Sequence, residues 1–80
     1  MPHGGWIVYV MEREDRGFRV GPTKTVRRDS RGNEKPGHQV RPNGEHADRM
    51  WVLRVCASRG EAAYWESWFA ANYGLPTACF

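Results

Sequence analysis

The chain has no apolar run approaching the roughly 18 residues that a membrane span requires, and its start, MPHGG, lacks a basic segment followed by an apolar one. The expectation is a chain outside the membrane, with a cytoplasmic location and no secretory leader. It has only two cysteines, Cys56 and Cys79, too few for a disulfide framework, and both are read as reduced, with Cys56 in the core. His3, His38, His46, Cys56 and Cys79 include no pair at the short spacing of a zinc finger or ribbon, which argues against zinc. A cysteine nucleophile is equally poorly supported, because Cys56 falls in an apolar stretch and Cys79 lies beside the chain end. Gly17-Phe18-Arg19-Val20-Gly21 has neither the spacing nor the following helix of a dinucleotide loop.

At 80 residues, the length fits one small domain, 1–80. Apolar residues are 40% of the chain and aromatics 12%, which excludes a disordered tail, and the ten aromatics are the expected core. The net charge of +3 is not evenly spread. Residues 19 to 41 hold seven cations and two anions, net +5, while the segments on either side are each net −1. Such a patch suits a polyanionic partner.

Trp6 to Met11 is β-branched and aromatic on both parities, the pattern of a strand covered on both faces and central in its sheet. Phe18-Arg19-Val20-Gly21 predicts a second strand in a hairpin with the first, closed by Pro22. From Thr23 to Gly44 the chain has three Gly, two Pro, six cations and no aromatic, so the region at about 22–49 reads as a basic loop or short helix. Within it, Glu45 to Arg49 could form a helical turn. Met50 to Cys56 predicts a third strand, with Arg54 on its wetter side. Ser58-Arg59-Gly60-Glu61 has the spacing of a capping box, and Gly74 and Pro76 stop the helix that follows. Trp65, Trp68, Phe69 and Tyr73 predict that this helix lies on the sheet and supplies much of the core. The expected fold class is α+β, a small antiparallel or mixed three-stranded sheet with a long C-terminal helix packed on it.

Two residues stand out chemically, each with a plainer alternative. Glu66, with Ala62, Ala63 and Ala70 at spacings of four, three and four, has an uncovered carboxylate, or is simply a solvated glutamate. Tyr9 lies in a core strand, where a tyrosine ordinarily just packs. Arg19, Lys24, Arg27, Arg28, Arg31, Lys35 and Arg41 could contact phosphates, or form a solvated surface that binds nothing.

The series from Ile7-Val8-Tyr9 through Arg19-Val20-Gly21, the run Gly21 to Arg28, and the helix Glu61-Ala62-Ala63-Tyr64-Trp65-Glu66-Ser67-Trp68-Phe69 resembles the GIY-YIG nuclease domain. Ile7-Val8-Tyr9 matches the first signature, and Arg19-Val20-Gly21 stands in for the second, with arginine at the tyrosine position. The resemblance implies a catalytic set of Tyr9, Arg28 and Glu66, with Arg27, Arg31 and Arg41 as other candidates for the arginine. It further implies a single Mg²⁺ or Mn²⁺ on Glu66, with DNA contacts from Arg19, Lys24, Arg27, Arg31, Lys35 and Arg41. The implied function is a DNA-binding module, with metal-dependent cleavage of duplex DNA. The segment Trp51 to Phe80 is also similar to stretches within inteins of bacterial helicase-type proteins, in or near their homing-endonuclease regions. That similarity implies a neighbouring intein or endonuclease domain as partner. The alternatives are a DNA-recognition domain without catalysis, or a protein-interaction domain presenting Trp6, Trp51 or Trp68.

Overall fold

The structure, a computed structural model, describes residues 5–78, so His3 and Cys79 lie outside the described residues. Its elements run β1 (Trp6–Arg13), β2 (Gly17–Lys24), β3 (Val26–Arg28), β4 (Glu34–Pro36), α1 (Gly37–Glu45), β5 (Arg49–Cys56) and α2 (Arg59–Tyr73). The fold is α+β. A three-stranded antiparallel sheet has the order β2-β1-β5, and β3 with β4 forms a separate two-stranded ribbon.

The central place of β1 follows from its composition. Ile7, Tyr9 and Met11 on one face and Val8 on the other are all fully buried. Side chains alternate across a strand, so apolar residues on both parities need cover on both faces. Val8 packs with Val20, Cys56 and Ala62, joined by Trp6, Leu53, Trp65, Phe69 and Leu75, which places α2 on that face. Ile7, Tyr9 and Met11 pack with Ala47 and Met50, on the face that α1 covers.

The helix α2 starts and ends as its sequence predicts. Ser58 Oγ accepts from the Glu61 N–H at 3.2 Å, the Glu61 carboxylate accepts from the Ala57 N–H at 3.0 Å, and Gly74 closes the helix at a φ of 65°. Its aromatics contribute less to the core than expected. Ala62 is its buried residue, Trp65 and Phe69 are partly buried, and Trp68 and Tyr73 are exposed. Among the described aromatics only Tyr9 is fully buried, because β1 places its aliphatic side chains between two layers and the aromatics fall at the rim. Arg54 is exposed as expected, and its guanidinium lies 3.8 Å from the centre of the Trp65 ring. Cys56 is buried. Burial chiefly, and Glu61 second, push its thiol pKa up against the opposing charge of Arg54.

Two expectations need correction. Pro22 does not close β2 but sits within it opposite Val8, which is tolerated because β2 is an edge strand and a missing N–H there breaks no ladder bond. The basic region, expected as a loop or short helix, does hold a short helix, but earlier than the turn expected at 45–49. It forms the β3–β4 ribbon and then α1, which ends at Glu45 with His46 in a left-handed conformation. Gly37 starts α1 hard against β2, since a Cβ there would collide with the Lys24 carbonyl, and the Gly37 N–H donates to Thr25 O at 2.9 Å. Among the described residues no helix is long and apolar enough to cross a membrane.

Candidate functional site

Strand register determines which polar groups meet. Tyr9 lies opposite Gly21 and Met11 opposite Arg19, so Tyr9 and Arg19 share a face with an empty glycine position between them. The Arg19 guanidinium fills that space, for a Cβ on Gly21 would lie 2.7 Å from Arg19 Nη2. The glycine of Arg19-Val20-Gly21 is therefore needed to admit a folded-back arginine, not for an unusual backbone angle.

Arg19 then links three parts of the fold. Its Nη1 donates to Tyr9 Oη at 3.1 Å and to Glu45 Oε2 at 3.0 Å, while Nη2 and Nε donate to the carbonyls of Thr77 and Ala78, each at 3.1 Å. Arg41 approaches from α1, with Nε donating to Tyr9 Oη at 3.3 Å and Nη2 to Glu45 Oε2 at 2.9 Å. Arg41 and Glu45 are four residues apart on one helix, the spacing that places two side chains side by side. The outcome is a phenol accepting from two guanidiniums that share one carboxylate. Arg19 and Glu45 are nearly buried, with side-chain exposures of 4% and 12%, whereas Arg41 is 29% exposed.

Glu66 is half-buried on α2 and has no hydrogen bond or ion pair among the described residues. Burial raises its carboxyl pKa above the ordinary range, and the positive charge of Arg19 pulls the other way, so the two groups are close enough to interact. No group of three His, Cys, Asp or Glu residues gathers into a metal cluster among the described residues. A single carboxylate completed by water is still compatible with a hard divalent cation, and the lack of a protein partner leaves Glu66 free for that role.

The arginine beside Tyr9 is thus Arg41, together with Arg19, and not the first-choice Arg28. Arg28 lies in the ribbon, where its Nη1 donates to Gly32 O at 2.8 Å. The sequence alone did not place Arg41 beside Tyr9, because that neighbourhood depends on how α1 docks on the sheet. Arg19, expected at a DNA surface, is instead buried. Glu45 escaped notice altogether; its four-residue spacing from Arg41 was the available signal. The other cations stay outward. Lys24, Arg28, Arg31 and Lys35 are exposed and Arg27 is half-exposed, and none of the five has an ion pair among the described residues. Lys24, Val26, Arg27, Arg28 and Glu34 line an open hollow of about 520 Å³. Compared with protein-family models, curated proteins and solved structures, the chain matches none.

Proposed function

We propose that the chain is a GIY-YIG-like module that binds duplex DNA, acting in the cytoplasm as part of an intein homing endonuclease, with a neighbouring intein or endonuclease domain as its partner. The observation that carries this reading is the separation of its cations. Lys24, Arg27, Arg28, Arg31 and Lys35 lie along one ribbon and its approach with no ion pair among the described residues, while Arg19 and Arg41 are held inward by Glu45. Unpaired surface cations on one element release counterions when they meet phosphates, which is the main source of sequence-independent DNA affinity.

The test is retardation of a B-form duplex across a salt series. With four or five phosphate contacts, the logarithm of the affinity should fall against the logarithm of salt with a slope of about −4. No retardation in low-salt buffer, or a slope near zero, would refute the reading.

Metal-dependent cleavage is a second reading, favoured by the carboxylate of Glu66, which has no hydrogen bond or ion pair among the described residues and whose pKa the charge of Arg19 pulls down. Phosphodiester hydrolysis needs a deprotonated water and neutralisation of the charge that develops on phosphorus. Mg²⁺ or Mn²⁺ on Glu66 would supply Lewis acidity. Arg41 would hold the scissile phosphate and Tyr9 would orient the attacking water. The Tyr9 phenol is fully buried, so this chemistry requires Arg41 to leave Glu45 and turn toward the substrate.

A further inference from the structure

The β3–β4 ribbon is exposed, is closed at its tip by its own hydrogen bonds, and carries an arginine and an asparagine in the turn. Every residue from Ser30 to Pro36 is exposed. The tip is nonetheless closed by its own bonds. Asp29 Oδ1 accepts from the N–H groups of Arg31 at 2.9 Å and Asn33 at 3.0 Å, the Asp29 N–H donates to Asn33 O at 2.9 Å, and the Gly32 N–H donates to Asp29 O at 3.0 Å. Gly32 takes the positive φ of 81° that this turn needs, and Arg28 ties its carbonyl down from the strand. These bonds occupy the backbone of the turn and the carboxylate of Asp29. The side chains of Arg31 and Asn33 make no hydrogen bond among the described residues. At the other end the ribbon is fixed to the body by the Gly37 N–H on Thr25 O and by the Thr25 N–H on Gly5 O at 3.0 Å.

We propose that this ribbon enters the major groove of B-form DNA tip first, with Arg31 and Asn33 reading base edges and Lys24, Arg27 and Lys35 seated on the flanking phosphates. The proposal rests on the duplex-binding reading above and adds the groove and the residues that confer sequence preference. The dimensions fit. Three residues per strand at roughly 3.3 Å each give a reach of about 10 Å, against a major groove about 8.5 Å deep and about 12 Å wide. The minor groove, about 6 Å wide, would not admit two strands with their side chains. The residue types fit as well, since arginine pairs bidentately with guanine O6 and N7, and asparagine with adenine N6 and N7. The Asp29 carboxylate is occupied by the turn N–H groups, and Glu34 faces Arg28 across the register. An A-form RNA duplex would be a poor substitute, because its major groove is too deep and narrow for such an element.

The experiment selects from a randomised B-form duplex library with the full chain. It then measures interference by N7-methylguanine, competition by an A-form RNA duplex, and the variants Arg31→Ala, Asn33→Ala and Lys35→Ala. The expected result is a selected sequence, blocked by N7 methylation, whose preference over random DNA falls about tenfold or more in Arg31→Ala or Asn33→Ala. Lys35→Ala should weaken all sequences alike. If DNA is retained but methylation has no effect and the RNA duplex competes equally, groove entry is overturned while charge-driven binding stands. If no duplex is retained at all, both readings fall.

Discussion

Glu45 is a carboxylate shared by Arg19 and Arg41 in the network beneath α1, so Glu45→Ala is the sharpest perturbation of the candidate site. The substitution would leave the Arg19 guanidinium almost fully out of water, with a phenol and two carbonyls as hydrogen-bond partners and without its ion pair to Glu45. Breaking a buried pair by removing one member costs about 3 to 5 kcal/mol. A domain of this length has roughly 4 to 12 kcal/mol in total. Glu45→Ala should therefore lose about 3 kcal/mol, lowering Tm by about 12 °C or more. Glu45→Gln keeps an acceptor and should cost less. Arg41→Ala should cost less again, about 1 kcal/mol, because Arg41 is 29% exposed and Glu45 and Tyr9 both keep Arg19. Urea unfolding followed by tryptophan fluorescence measures all three. The reasoning fails if Glu45→Ala lies within about 0.5 kcal/mol of the parent, for then Arg19 is solvated and Tyr9 is not sealed.

Gly37→Ala should be among the most destabilising single changes, because its Cβ would overlap the Lys24 carbonyl, a backbone atom that cannot turn aside. A loss of about 3 kcal/mol or more is expected, and a soluble variant with parental stability would show that α1 is not docked there. Glu66→Gln should stabilise the domain at neutral pH and have little effect in acid. The sign follows from a folded-state pKa raised above its unfolded value by burial, so the carboxyl favours folding when protonated, and that contribution is lost as pH rises through the folded pKa. A variant no more stable than the parent at neutral pH would count against a desolvated Glu66. If the cleavage reading holds, the same variant should also lose Mg²⁺-dependent nicking of plasmid DNA while remaining folded.

Much of the scaffold was legible because it follows local rules. The two-parity apolar run of Trp6 to Met11 announced a central strand, and Ser58, Glu61 and Gly74 marked both ends of α2. What stayed hidden depends on contacts distant in sequence. The segment Gly37–Glu45 contains two glycines and an internal proline, Pro42, and lacks an apolar stripe, so its pattern left a basic loop and a short helix equally open. It is helical through docking, with Gly37 against Lys24 O and Arg41 and Glu45 reaching the Tyr9 side of the sheet. The partnership of Tyr9 and Arg19 was hidden for a related reason. It requires the β1–β2 register, and the register rests on a hairpin turn whose length the sequence left open.

The helix α1 joins the ribbon of the proposed duplex-binding surface to the Tyr9 network. Gly37 at its start anchors the ribbon, and Arg41 and Glu45 toward its end hold the Tyr9 network. Stability alone gives little reason for that network, since a buried ion pair is often no better than well-packed apolar side chains of the same volume. If the chain binds duplex DNA as proposed, the charged version adds a competitor for phosphate. Arg41 is shared between Glu45 and Tyr9 and is partly open to water, so a phosphate brought in by the ribbon would compete with Glu45 for the same guanidinium. DNA bound through Lys24, whose carbonyl abuts Gly37 at the start of α1, would thereby weaken the closure over Tyr9. On this argument the buried network and the exposed ribbon are coupled through a single short helix.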